Sequence, residues 1–330
     1  MNTQIGKYVL QDEGYKSFIP FDFPFKDALN FSKEILEKSN EAHFLVGKLD
    51  GIIHVLPELS SFLLMFMAKD AESSSQIEGT RATVVDFMKT NIGVNEKDTD
   101  SDDILYYIKA LQYGLKRISD LPLSMRLLRE VHKELMTGAR ASYFSNPGEF
   151  RKTQNWIGGK NISEASYVPP TVLEMTRSLS DLEKFFYDDA FTYPLIQIAL
   201  IHSQFETIHP FLDGNGRCGR LLITLLLKDK GLLQSPVLFL SSYFKKHQVE
   251  YYQKLNNYHK GEIDEWVNFF LDGVIDISKK SINLLKKVSD LYKKDMEKIS
   301  MLSKREHDST MLVLDKLYSQ PIISTKVVME

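Results

Sequence analysis

The stretch His209-Pro210-Phe211-Leu212-Asp213-Gly214-Asn215-Gly216-Arg217-Cys218-Gly219-Arg220 gathers more chemistry than a turn between two helices needs. Pro210 disfavours helical dihedrals at His209, so a helix ends there. Gly214 and Gly216 permit positive φ around Asn215, which lets successive backbone N–H groups converge on one concavity. Such a nest at a helix N-terminus holds anions, phosphate above all. Arg217 and Arg220 lie three apart and share a face of the helix that follows. Two guanidinium groups in a first turn oppose the helix dipole, an arrangement that makes sense if a polyanion sits there. Asp213 is a hard oxygen ligand suited to a Mg2+ that bridges phosphates. His209, with an ordinary pKa of about 6.5, can take a proton from an incoming hydroxyl. Phe211 is expected to turn into the core and fix the loop. No Gly-Lys-Ser/Thr follows, so this is not a P-loop. His202, seven residues before His209, reads as a hydrogen-bonded structural histidine, because no third imidazole or thiolate is placed nearby.

The loop needs two core helices to hold it. Pro194 opens one over 194–208. The other begins near Gly216 and runs through Leu221 to Leu227, apolar on nearly every side and therefore central and buried. Apolar spacing predicts further helices at 26–47, from Pro57 to a stop at Gly79, and at 104–118, 124–137, 171–187, 245–259, 263–275 and 278–303. Residues 95–103 form an acidic break. Asp103 and Lys109 stand where a calcium loop needs Gly and Glu, so the break reads as a solvated turn and helix start. Glycines and prolines crowd 138–170 and exclude a helix. Within that stretch Gln154–Gly159 and Ala165–Val168 read as the arms of a β-hairpin.

The 330 residues suggest roughly two domains. A net charge of −3, from 41 basic and 44 acidic residues, excludes nucleic-acid binding through bulk positive charge. The single cysteine, Cys218, excludes an internal disulfide and fits a reducing compartment. No apolar run approaches the ~20 residues that span a bilayer, and no signal peptide is visible, so the expectation is a soluble cytoplasmic chain with no membrane partner.

His209 to Arg220 resembles the signature of the Fic family, H-P-F-x-[D/E]-G-N-G-R-x-x-R, at every specified position. Gly148-Glu149-Phe150-Arg151, Gln154 to Gly158 and Val168-Pro169-Pro170 resemble the family's flap region. Ser74-Ser75-Gln76-Ile77-Glu78-Gly79 resembles its inhibitory motif, and Tyr251 to Leu255 the helix after its core. The resemblance covers roughly 60–275. It implies an all-α fold: a Fic-type helical core with a small β-hairpin flap, an N-terminal helical region and the start of a C-terminal winged helix. The expected divisions are 1–103, with the inhibitory helix near 60–79; a catalytic core at 104–275; a long linker helix at 276–303; and a partial winged-helix segment at 304–330.

The implied activity is transfer of AMP from ATP, with Mg2+, to a Ser, Thr or Tyr hydroxyl of a target protein, the chain's own hydroxyls included. In the implied roles His209 is the base and Asp213 holds the metal. Gly214, Asn215 and Gly216 cradle the α- and β-phosphates; Arg217 binds the β-phosphate and Arg220 the γ-phosphate. Ile157, Gly158 and Gly159 dock the target by strand addition. Tyr251 and Tyr252 each have two readings, adenine-pocket wall or core packing. Ser74 and Glu78 of the inhibitory motif are four apart on one helical face, and the Glu78 carboxylate would form a bidentate pair with Arg220 and so inhibit the resting enzyme. The alternatives are removal of AMP, or transfer of another nucleotide or phosphate-bearing group, at the same site. A DNA-binding regulator acting through the tail after 304 is a competing class that the charge does not support. The resemblance also brings the expectation of a homodimer, although no residue marks a dimer face.

Overall fold

The computed structural model describes residues 4–25, 30–53, 59–91, 99–138, 145–319 and 322. Its centre is a pair of buried helices, α7 (Pro194–Ile208) and α8 (Asn215–Asp229), packed against each other and joined by the His209–Gly214 loop. Both are buried along nearly their whole length, as their continuous apolar sequence requires. Pro194 occupies the first turn of α7, where its missing N–H costs nothing.

Around this pair the chain wraps α4 (Thr99–Arg117), α5 (Met125–Met136) and α6 (Val172–Phe186). Ser124 caps α5, its Oγ accepting from Leu127 N at 3.3 Å. α2 (Leu59–Ile77) lies against α4, α8 and the short α9 (Ser241–Lys246), which puts its C-terminal end beside the loop. Pro57 and residues 95–98 fall outside the described residues.

Six features differ from the sequence expectations, one of them a short helix, α3 (Val84–Asn91), where none was expected. The N-terminal region opens with an antiparallel hairpin, β1 (Gly6–Leu10) and β2 (Lys16–Pro20), in register from Gly6 opposite Pro20 to Leu10 opposite Lys16. Among the described residues of the acidic break, Asp100 and Asp103, at the start of α4, are buried rather than solvated. The flap is a single bridge, Ile157 to Tyr167, around one 3-10 turn at Ile162–Glu164. The helix expected at 245–259 is two, α9 and α10 (Gln248–Tyr258), bent at His247. The helices expected at 263–275 and 278–303 are one, α11 (Ile263–Ile299). Its stretch from Ile277 to Leu285 is built into the core through Ile277, Ser278, Ser281, Ile282 and Leu285. Trp266 ties α11 to α7 by donating from Nε1 to Ala199 O at 2.8 Å, and α1 (Lys33–Ile53) packs along its length. α12 (Lys304–Ser319) follows, and residues 320, 321 and 323–330 of the expected winged-helix segment lie outside the described residues. No helix among the described residues is long and apolar enough to cross a membrane.

Candidate active site

His209 caps the C-terminus of α7 in the left-handed region, at φ 50° and ψ 61°. Helical dihedrals are denied to it by Pro210, and the loop around it is clamped through its backbone. Arg151 Nε donates to His209 O at 3.0 Å and Arg151 N to Pro210 O at 2.9 Å. Asn155 Nδ2 reaches Phe211 O at 2.9 Å. Asn215 closes the loop on itself: Phe211 N donates to its Oδ1 and its Nδ2 donates to Phe211 O, both at 2.8 Å. Phe211 points into the core and stacks on His132, with ring centroids 3.7 Å apart and planes 2° apart. His132 Nδ1 accepts from Gly148 N, which leaves Nε2–H to donate to Asp213 O at 2.9 Å.

The nest is narrower than the sequence implied. Gly214 has φ 78°, but Gly216 lies within the helix without positive φ. What Gly216 contributes is the absence of a Cβ, which would overlap the Glu78 carboxylate. The Asn215 side chain is bonded at both its Oδ1 and its Nδ2 to the Phe211 backbone. Arg217 forms a buried pair with Asp103 at 3.3 Å, and Asp103 also accepts from Thr80 Oγ1 at 2.7 Å. Asp213 is half-buried and its Oδ1 accepts from Gly214 N at 2.7 Å.

A cavity of about 560 Å³ opens beside α8. It brings together Glu78, His209, Gly216, Arg220 and Tyr252, with Ile157 and Gly158 of the flap also lining it. Gly158 and Gly159 adopt φ 70° and 71°, and a Cβ on Gly158 would overlap Ser166 Oγ. Tyr251 also borders the cavity, but it is 1% exposed and its hydroxyl meets His202 Nε2 at 2.9 Å, so it is a core residue. Tyr252 is 42% exposed and its hydroxyl donates to Ile77 O at 3.3 Å. His202 is structural, with Nδ1 at 3.0 Å from Gly219 O.

Arg220 is held by α2. Its Nε donates to Ser74 Oγ at 2.8 Å, and its Nη2 to Ser74 O at 3.0 Å and to Glu78 Oε1 at 2.7 Å. The carboxylate contact is thus single rather than bidentate, and Ser74 supplies the remainder. Burial lowers the Arg220 pKa, but Glu78 more than reverses this and the cation is locked in. The pair is asymmetric: the guanidinium side chain is 2% exposed and the Glu78 side chain 38%. Burial and the Arg151 cation hold the His209 imidazole down to about 4, while the Glu206 backbone and Glu78 pull weakly the other way. His209 is therefore neutral at physiological pH, the form that accepts a proton.

Four contributors escaped the sequence reading. Arg151 and Asn155 clamp the loop, and His132 supports it; none of them stands in the signature. Asp103, placed in solvent by the sequence pattern, neutralises Arg217. The signal for Arg151 and Asn155 was their place in the Gly- and Pro-rich stretch, which needs side chains to fix a backbone that no helix fixes.

Models of the Fic/DOC family match residues 122–227, and of the Fic/DOC family N-terminal region residues 36–116, together more than half of the chain. The chain belongs to the Fic/DOC family. It is 28% identical over 244 residues to the Protein adenylyltransferase Fic of Drosophila grimshawi, covering 72% of this chain and 46% of that protein. It is 27% identical over 281 residues to the same-named protein of Drosophila melanogaster, covering 84% and 52%. The chain spans about half the length of the curated relatives it matches. The fold is shared with a Fic family protein from Desulfovibrio desulfuricans, at a TM-score of 0.63 and 20% identity over 78% of this chain and 76% of that one. Fic-1 from C. elegans gives a TM-score of 0.57 and 18% identity over 78% and 75%. Within the Fic frame, His209, Arg220 and Glu78 line one cavity, and Glu78 pairs with Arg220 there.

Proposed function

We propose that this chain transfers AMP from ATP to a hydroxyl side chain of a target protein, and that Glu78 restrains it. The observation that carries the reading is the seating of the Glu78 carboxylate against Gly216 and Arg220, at the N-terminus of α8 and in the cavity that His209 lines. A carboxylate in that position imitates a phosphate: it takes the free guanidinium contact and the open glycine face that a triphosphate needs.

With Glu78 withdrawn, Arg220 and the α8 N-terminus would bind the terminal phosphates and bring the α-phosphorus to His209. The neutral imidazole takes the proton of the acceptor hydroxyl. The oxygen then forms its bond to the α-phosphorus, the bond from the α-phosphorus to the oxygen bridging the β-phosphorus breaks, and pyrophosphate leaves. The flap edge at Ile157 would present the target backbone. The donor set fits Mg2+: the single carboxylate of Asp213, with lone pairs left after the Gly214 contact, suits an ion that takes most of its remaining ligands from phosphate and water. Bound there, Mg2+ would neutralise the triphosphate.

Intact-mass spectrometry tests the reading. After incubation with ATP and Mg2+, the Glu78→Gly chain should add AMP to a target hydroxyl or to its own at least about tenfold faster than the parent chain. The added His209→Ala change should cut the rate by about 10² to 10⁴. An unchanged rate on removing Glu78 would refute the restraint. A second reading, removal of AMP by a water that Glu78 positions, is favoured by the partial exposure of Glu78 in the cavity of His209. Loss of AMP from a modified target with the parent chain, but not with Glu78→Gly, would select it.

A further inference from the structure

Glu206 lies in the last turn of α7, three residues before His209, and lines the same cavity. Its Oε1 is buried against Gly219, where a Cβ would overlap it, and has no hydrogen-bond partner. It makes no ion pair with Arg220, whose carboxylate partner is Glu78. The neighbouring polar groups are already spent: the Tyr251 hydroxyl on His202, the Tyr252 hydroxyl on Ile77 O, and His259 Nε2 on Thr207 Oγ1 at 3.1 Å. A buried carboxyl oxygen without a partner is costly, and a site that keeps one has a use for it when filled.

Resting on the adenylyl-transfer reading, we propose that Glu206 is a specificity residue whose carboxyl hydrogen-bonds a hydroxyl of the nucleotide's ribose. The reacting α-phosphorus must sit at His209. Two groups extend from it, the β-phosphate toward Arg220 and the α8 N-terminus, and the ribose through its 5′-oxygen. Three residues back along α7 is about 4.5 Å, the scale of the step from phosphorus to sugar. A carboxyl suits the sugar and not the phosphate, because its oxygens repel phosphate oxygens and accept from hydroxyls. Burial, with Glu78 adding to it, pushes Glu206 up to about 8 against the pull of Arg220. A neutral carboxyl both donates and accepts, as a hydroxyl does. Gly219 leaves the room the carboxyl needs.

The test compares the affinities of ATP, 2′-deoxy-ATP and 3′-deoxy-ATP by calorimetry, in the full chain carrying Glu78→Gly. That background should favour ATP over at least one deoxy analogue by about tenfold. Adding Glu206→Ala should bring the ratio near one, while Glu206→Gln, which still donates and accepts, should keep part of it. ATP bound with the same ratio in the alanine variant overturns the proposal and leaves the transfer reading standing. Failure of the Glu78→Gly chain to bind ATP at all overturns the transfer reading, and the proposal with it. Loss of fold in Glu206→Ala leaves the decision to Glu206→Gln, whose analogue ratio must then fall below that of the Glu78→Gly background.

Discussion

At the scale of single residues, the site is an arrangement of charges sharing too few partners. Arg220 is the only guanidinium of the signature that borders the cavity, because Arg217 is already neutralised by Asp103. Gly216 decides what can sit on Arg220: a Cβ there would displace the Glu78 carboxylate and fill the same space a phosphate would use. Gly216→Ala should therefore expel Glu78 without activating the chain. Labelled AMP incorporation should stay at or below the parent level, and should stay low when Glu78→Gly is added. An increase in the single variant would show that the phosphate does not use that face. The signature residues were legible because their types are chemical; where each side chain points was not. Asn215 and Arg217 carry the right groups for phosphate, yet one is consumed by Phe211 and the other by Asp103, partners 4 and 114 residues away.

At the scale of elements, the site depends on α2 and α4 being held against α8. Thr80 and Arg217 converge on Asp103 in the first turn of α4, and Tyr107, one turn further on, donates to Asp70 of α2 at 2.7 Å. Removing one partner of a buried pair leaves the other charge uncompensated. Asp103→Ala should therefore cost about 3–5 kcal/mol in urea unfolding, against under about 1 kcal/mol for an exposed surface pair such as Lys279–Glu41. A loss below about 1 kcal/mol for Asp103→Ala would mean that Arg217 is solvated. Most of the α-helical elements were legible from apolar spacing, but α3 was not, and the joints of α9, α10 and α11 were misplaced. The acidic 95–103 segment misled, because composition reads Asp as solvent-facing while the fold supplies Thr80, the Arg81 N–H and Arg217 to receive Asp100 and Asp103. The β1–β2 hairpin was also readable in principle: Tyr8-Val9 and Phe18-Ile19 flank Asp12-Glu13-Gly14, an aromatic and β-branched pair of runs around a turn. Its role was not readable, since Phe18 N donates to Val168 O and its ring packs on Tyr167 and His259, bracing the base of the flap from a distant part of the chain.

For the molecule as a whole, buried histidines set the acid limit. Burial holds His132 and His209 down to about 4, and His202 and His259 to about 3. A histidine whose folded pKa is depressed binds its proton first in the unfolded chain. Stability is then complete above about 6.5 and lost as pH falls toward the folded values. Glu206, raised to about 8, works in the other sense, since the native state keeps a proton that the unfolded chain releases. Four groups against one leave the histidines dominant, and the raised Asp70 offsets part of this at the lowest pH. The urea midpoint should fall steadily from pH 7 to pH 5. A flat profile over that interval would contradict the burial of these imidazoles.

The most direct test of the account follows the two ends of ATP separately. Glu78→Gly protein is incubated with Mg2+ and ATP labelled at either the α- or the γ-phosphorus, beside the parent chain and the Glu78→Gly, His209→Ala double variant. The account predicts protein-bound label from α-labelled ATP alone, strongest in Glu78→Gly and lost in the double variant. Retention of the γ-label, or α-label that persists without His209, would contradict it.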